Sequence, residues 1–279
     1  MSWFYEHYRE VSAVGIRTTA LLHKERSPYQ EIAVYETKGH GRFLTLDDMV
    51  MVTELDEFAY HDLLSHVPLC LHADPRRVLV VGGGDGGTVR EVLRHPSVEQ
   101  VVLCEIDERV TRVCQEFMPS VAGALEDERV QLHFEDAVAY IQNHQDHFDA
   151  ILVDSSEPIG PAEGLFGADF LADVRNALRP GGVMSAQAES PFYAPEVITS
   201  FFANARESFA STHAYTGVVP TYPGGLWTFM FASRERGPDD LDRQRADSLG
   251  ARYLDASSIA AAFALPPFVA ELVNGAPRG

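Results

Sequence analysis

Five acidic residues stand where a carboxylate can do chemistry rather than merely charge a surface. Asp85 lies inside VLVVGGGDGGTVRE at 78–91. There Gly82, Gly84 and Gly87 satisfy GxGxxG between an apolar run and a helix-like run. Such glycines let a ligand approach the backbone at a helix N-terminus, although a tight strand-to-helix turn without a ligand needs the same residues. Asp85 would repel a pyrophosphate, because like charges a few ångströms apart are costly in a low-dielectric site. The loop therefore argues against NAD and for a cationic sulfonium nucleotide. Glu105 ends the next apolar run, 20 residues after Asp85, where an acid accepts hydrogen bonds from ribose hydroxyls. Asp136 follows the third run; it suits either an adenine amino group or the N-cap of a helix starting AVAYI.

Asp154 ends DAILVD at 149–154. A carboxylate at the C-terminal edge of a central strand faces the crevice where open α/β sheets bind ligands. Glu157 lies three residues on, in the rigid loop SSEPIGP. It either joins Asp85 and Asp154 in one cleft or is a solvated loop acid. Clustered carboxylates raise one another's pKa, and a polyamine would neutralise them.

Positioning these residues requires a particular order of elements. Residues 1–55 read as strands, with EIAVY at 31–35 and GRFLTL at 41–46. Leu55, Phe58, Ala59, Leu63 and Val67 recur at helical spacing, so 54–70 reads as a helix that Pro68 ends or kinks. Short apolar runs then follow at 77–81, 101–106, 130–134, 149–153 and 182–186, as expected of strands buried on both faces. Helical stretches at 88–95, 108–118, 136–143 and 168–178 alternate with them. This is the pattern of an α/β, doubly wound parallel sheet. Residues 213–232 suggest an antiparallel closing pair, and the charged stretch 235–247 a solvated connection. We expect two units, an N-terminal β-strand domain over 1–55 and a catalytic domain over 56–279.

Composition narrows the partners. The 279 residues are 46% apolar and 23% charged, which is ordinary globular composition. Asp and Glu outnumber Lys and Arg by 41 to 22, a formal net charge of -19. A phosphate backbone needs the opposite balance, so nucleic acid is not an expected partner. No run approaches the length of a membrane span, and MSWFYEHYRE has no signal-like apolar region. Three cysteines, Cys70, Cys104 and Cys114, without CxxC, fit a reducing compartment, so a cytoplasmic protein is expected. The eleven histidines show no zinc-like spacing, and no metal is expected.

The motifs GGGDGG at 82–87, CEID at 104–107, VDSSEPIGPAEGLF at 153–166 and PTYPGG at 220–225 together resemble the spermidine synthases, the polyamine aminopropyltransferases. YQEI at 29–32, LDEFAYHDLLSHVPL at 55–69 and AAFALPPFV near the C-terminus extend the resemblance over nearly the whole chain. It implies a Rossmann-like, methyltransferase-type sheet with a small N-terminal β-domain, assembled as a homodimer or homotetramer. It implies aminopropyl transfer from decarboxylated S-adenosylmethionine to a diamine, putrescine first, giving spermidine and methylthioadenosine. The sulfonium nucleotide is a co-substrate, and no further cofactor is implied. Carried over by motif, Gln30, Leu46, His61, Gly82, Gly84, Asp85, Glu105, Asp136, Ala137 and Pro161 would contact the donor. Tyr60, Glu157, Gln187 and Tyr222 would line the acceptor groove with Asp154, which would receive or relay the acceptor's proton. From the residues alone, the favoured readings are Tyr60 as a helix packing residue and Tyr222 as a turn aromatic.

Three positions depart from the family pattern. Glu157 stands where an aspartate is usual, Met51 where many members have glutamine, and Ala137 where glycine is common. The first two bear on acceptor identity and length. Other readings of the same fold are transfer from intact S-adenosylmethionine, moving an aminocarboxypropyl or methyl group, and a non-catalytic polyamine-binding protein. Asp85 beside Asp154 would repel the carboxylate of the intact donor.

Overall fold

The computed structural model describes residues 2–8, 11–158 and 160–275. Residues 2–53 form one antiparallel sheet in sequential order: β1 (Ser2–Tyr8), β2 (Ser12–Arg26), β3 (Glu31–Thr37), β4 (Arg42–Leu46) and β5 (Met49–Thr53). Alternation gives this sheet two apolar faces. Ile16, Phe43 and Val50 pack together on one face, with Phe4 and Tyr35 against them. Ile32, Val34, Leu44 and Val52 face the other way and join the main core.

Helix α1 (Glu57–Leu71) links the two sheets, and every residue from Ala59 to Leu71 is buried. Pro68 sits inside its last turn; the helix ends three residues later, where the His72 N–H bonds the Pro68 carbonyl.

The second sheet is built from β6 (Arg77–Gly82), β7 (Gln100–Cys104), β8 (Val130–His133), β9 (Phe148–Asp154), β10 (Leu178–Gln187), β11 (Ser211–Val218) and β12 (Leu226–Ser233). Its order is β11-β12-β10-β9-β6-β7-β8. β8, β7, β6, β9 and β10 are parallel, and β12 and β11 pair antiparallel at the far edge, as the sequence suggested. Val78, Val80 and Leu152 face one hydrophobic core, while Leu79, Val81, Ile151 and Val153 face a second. Two buried faces explain the unbroken apolar runs.

The chain leaves β6 toward β7 and β8, then returns to β9 on the other side of β6. The reversal places a crevice beyond the carboxyl ends of β6 and β9, where open α/β sheets bind ligands. Gly82 and Asp154 are register partners at that point.

The helices between these strands are α2 (Gly87–Val92), α3 (Glu108–Phe117), α4 (Pro119–Ala122), α5 (Ala137–Gln142), α6 (Ala168–Ala177) and α7 (Pro195–Ser208). Two expectations need correction. Strand β7 stops at Cys104, so Glu105 and Ile106 lie beyond it. The stretch 235–247 is not simply a solvated connection: it carries most of α8 (Arg243–Ser248). Ala246 is buried there, and Arg245 donates to the carbonyls of Leu69 and His72 at 2.8 Å. Two further short helices, α9 (Ala256–Ala262) and α10 (Pro267–Val273), close the described chain. Among the described residues no single helix is long and apolar enough to cross a membrane.

Candidate active site

A cavity of about 300 Å³ opens at the reversal point between the two sheets. Its floor is the glycine loop. Gly82 and Gly83 both take positive φ, +73° and +68°. A Cβ on Gly82 would lie 2.3 Å from the Asp154 carbonyl oxygen, and the Gly83 N–H donates to that oxygen at 2.8 Å. The glycines thus let the loop lie directly against the end of β9. Asp85 turns back on the loop, accepting the Gly87 N–H at 2.7 Å through Oδ1.

Asp154 is held from two sides. Tyr60 donates its hydroxyl to Oδ1 at 2.8 Å, and Thr88 donates to Oδ2 at 2.6 Å. Burial, and then the charge of Asp85, raise its carboxyl above the ordinary aspartate value. Tyr60 packs its ring against Phe229 and also places its hydroxyl on Asp154.

Glu105 accepts the Asp107 N–H at 2.8 Å, and burial pushes its carboxyl up to about 7. Asp107 in turn accepts from Gln30 Nε2 at 3.0 Å and Ser27 Oγ at 2.6 Å, which ties the turn before β3 to this wall. Leu46, Gly84, Asp136 and Ala137 also line the cavity. The cap reading of Asp136 holds, and the residue also stands at the cleft. It caps α5 by accepting the Val138 N–H at 2.9 Å, and it borders the cleft. His61 does not line the cavity; its Nε2 stands 3.5 Å behind Asp85. The Pro161 side chain lies outside the described residues.

A smaller pocket of about 40 Å³ adjoins the cleft past Tyr60 and Tyr222. Glu157 borders both spaces and is half-buried, so it is not simply a solvated loop acid. Gln187 borders the smaller pocket, with its Nε2 donating to the Ser156 carbonyl at 3.3 Å and to Glu189 at 3.2 Å. The Tyr222 hydroxyl donates to the Met51 carbonyl at 2.6 Å, and its ring meets Tyr60 edge-on at 5.6 Å.

Among the residues of this pocket that sequence reasoning missed are Glu6, Glu189 and Trp227. Burial pushes the carboxyls of Glu6 and Glu189 up to about 7. Glu189 was findable, because it follows β10 as Asp154 ends β9, at the same sheet edge. Glu6 gave a fainter signal, a lone acid within an aromatic strand.

A mixed cluster away from the cleft was also missed. Potential ligand atoms of Asp62, His66 and Glu91 lie within 4.8 Å of one another. Spacing did not reveal it, because Glu91 comes from α2 and the other two from α1. Arg90 and Arg94 occupy both oxygens of Glu91, at 2.7 and 2.9 Å, and His66 Nδ1 meets His95 Nε2 at 3.0 Å. The group is held together as a buried ion-pair network.

Residues 57–242 match the family described as spermine/spermidine synthase domain, and residues 2–54 match the spermidine synthase tetramerisation domain. The chain belongs to the spermine/spermidine synthase family. A polyamine aminopropyltransferase of Moorella thermoacetica is 44% identical over 272 residues, covering 98% of this chain and 96% of the relative. One from Bacillus mycoides is 43% identical, covering 98% and 99%. The crystal structure of spermidine synthase from Thermotoga maritima superposes with a TM-score of 0.95 at 33% identity, covering 98% and 94%. A spermidine synthase in complex with the transition-state analogue AdoDATO gives 0.96 at 33% identity, covering 98% and 95%. The resemblance read from the motifs is therefore correct, as is the Rossmann-like fold with its small N-terminal β-domain.

Proposed function

We propose that this chain is a polyamine aminopropyltransferase that moves the aminopropyl group of decarboxylated S-adenosylmethionine to putrescine. Spermidine and methylthioadenosine are the products. The observation that carries the reading is the half-buried Asp154 carboxylate, fixed by Tyr60 and Thr88 at the reversal point between β6 and β9.

In this reading the nucleotide lies over the glycine loop at Gly82 and Gly84. Glu105 accepts from the ribose hydroxyls and Asp136 from the adenine amino group. Gln30, Leu46 and Ala137 enclose the nucleoside. Asp85 takes the donor's terminal ammonium, with His61 behind it. The acceptor lies between Tyr60 and Tyr222, with its reacting end at Asp154. Its far ammonium is held by Glu157 and Gln187, supported by the buried acids Glu6 and Glu189 of the adjoining pocket.

The acceptor arrives as an ammonium and must lose a proton to react. Asp154 takes or relays that proton, and its raised pKa makes it a better base than an exposed aspartate. The nitrogen lone pair then attacks the carbon bonded to sulfur. The C–N bond forms as the C–S bond breaks, and the bonding pair returns to sulfur as a neutral thioether. The leaving group is already activated by its positive charge, so the protein supplies alignment and negative potential. The same potential disfavours an intact donor carrying a carboxylate. Every group in this scheme is a side chain or a substrate, and no metal or further cofactor enters it.

We further read the N-terminal sheet as the surface through which the chain assembles into a homodimer or homotetramer. Trp3, Tyr5 and Leu21 expose more than half of their surface there. The three cysteines are free and buried, which fits a cytoplasmic location.

A product assay by mass spectrometry tests the reading. The protein is offered decarboxylated or intact S-adenosylmethionine with a panel of diamines and polyamines. Spermidine and methylthioadenosine from the decarboxylated donor and putrescine are expected. A carboxylated product from the intact donor, or preference for another amine, overturns the corresponding part.

A further inference from the structure

A second line of charge runs behind the cleft, and no residue in it beyond His61 and Asp85 has a part in the scheme above. Glu57 and His61 lie one turn apart on α1, and Glu57 Oε2 meets His61 Nδ1 at 2.6 Å. The other ring nitrogen, Nε2, faces Asp85 Oδ1 at 3.5 Å. The same Glu57 oxygen accepts from Arg90 Nη2 at 2.8 Å. Arg90 is itself tethered through Nε to Glu91 Oε1 at 2.7 Å and through Nη1 to the Ser120 carbonyl at 3.2 Å. The signs alternate from the cleft inward: Asp85, His61, Glu57, Arg90.

We propose that Glu57 and Arg90 are positioning residues for the donor site, holding His61 in the one orientation that fixes Asp85 at the cleft wall. This rests on the reading that Asp85 takes the donor's terminal ammonium.

Three observations support the assignment. First, His61 is 2% exposed and does not line the cavity, so its charge acts on the donor through a neighbour, and Asp85 is the acid it faces at the cleft wall. Second, the fit is close. A Cβ on Gly87 would stand 2.1 Å from His61 Cε1, so the glycine lets the ring lie against the loop that carries Asp85. Third, the charges need one another. Asp85 and Asp154 share a cleft and repel; an imidazolium behind Asp85 offsets that repulsion. Burial by itself would discharge His61, but the carboxylates of Asp85 and Glu57 hold its pKa well above the ordinary value. Burial would likewise raise Glu57, yet hydrogen bonds from His61 and Arg90 hold it below the usual range. Without Glu57, the imidazole would be free to lose its proton and turn away from Asp85.

The test is a double-mutant cycle on donor KM, with acceptor KM and thermal midpoint measured in parallel. Glu57→Gln is expected to raise the KM for decarboxylated S-adenosylmethionine about five- to tenfold, the scale of coupling between charged neighbours. Acceptor KM at saturating donor should move less than twofold. In an Asp85→Asn background, Glu57→Gln should add almost nothing, because its effect passes through Asp85. Arg90→Lys should restore part of what Arg90→Met loses, since it keeps the charge but not the fork between Glu57 and Glu91. Equal effects of Glu57→Gln in both backgrounds, or an unchanged donor KM in wild-type background, overturn the proposal. A proton NMR signal from the His61 Nδ1–H, shifted downfield by Glu57 and lost in Glu57→Gln and His61→Asn, reads the contact without turnover. A wild-type protein that makes no aminopropylated product overturns the functional reading instead. In that case a His61 signal unaffected by Glu57→Gln removes the positioning role as well.

Discussion

Tyr60 and Asp154 are 94 positions apart, yet the Tyr60 hydroxyl donates to Asp154 Oδ1 at 2.8 Å. The contact joins the linking helix to the end of a central strand. It aims the second lone pair of that oxygen and, with Thr88 on Oδ2, holds the carboxylate in one rotamer. Asp154→Asn is expected to leave the fold intact and to lower kcat by about 10²-fold or more, the scale of lost acid–base assistance. Tyr60→Phe keeps the ring packing but frees the carboxylate; a loss of about tenfold is expected, as for one hydrogen bond to a charged group. Steady-state rates at saturating substrates check both, and near-normal turnover of the asparagine variant would remove Asp154 from the chemistry.

Asp85 should discriminate between donors. Asp85→Asn is expected to weaken binding of decarboxylated S-adenosylmethionine and to narrow the preference over the intact donor by about tenfold, as for one charge-assisted contact. Competition between the two donors, read as product ratio, measures this; an unchanged ratio would show that repulsion by Asp85 does not exclude the carboxylate.

Glu157 should act on the acceptor alone. Glu157→Gln is expected to raise the KM for putrescine about tenfold while leaving donor KM within twofold. If both constants move together, the residue shapes the whole cleft rather than the acceptor's far end.

The buried acids predict a pH dependence of stability. Burial pushes the carboxyls of Glu6, Glu105 and Glu189 up to about 7, against an ordinary value of 4.5. The folded state therefore holds these protons more tightly than the unfolded chain. Their stabilising contribution is complete below about pH 4.5 and is lost as pH rises through about 7. A bound diamine favours the ionised forms and should offset the loss. The rise in thermal midpoint on adding putrescine is thus expected to grow between about pH 5 and pH 8. A rise that is flat across that window would contradict the assignment of Glu6 and Glu189 to the acceptor.

Gly82 should tolerate no side chain. Gly82→Ala places a Cβ 2.3 Å from the Asp154 carbonyl oxygen at a positive φ of +73°. A loss of at least about 1–3 kcal/mol is expected from the backbone strain alone, visible as a fall of several degrees in thermal midpoint. Because Asp154 must shift to make room, turnover should fall with stability.

Much of this molecule was legible along the chain. The five parallel strands announced themselves as unbroken apolar runs, since each is covered on both faces. The glycine loop, Asp85, Glu105 and Asp154 could be placed because a strand end or a strand-to-helix turn fixes a residue's location within a few neighbours. What failed was whatever depended on distant partners. Glu6 sits on β1 and Glu189 just after β10, and only the packing of the first sheet on the second brings them to one pocket with Glu157. Likewise, the i, i+4 spacing of Glu57 and His61 is ordinary on a helix. It acquires meaning only because α2 delivers Arg90 to one side and the glycine loop delivers Asp85 to the other. Asp136 could be read as a cap or as a cleft residue, and the fold made it both. Local sequence sets which groups can ionise and which segments are strand or helix, because those depend on short-range sterics and periodicity. Which charges end up sharing a low-dielectric space, and so which of them shift, depends on long-range packing, and that was decided only in three dimensions.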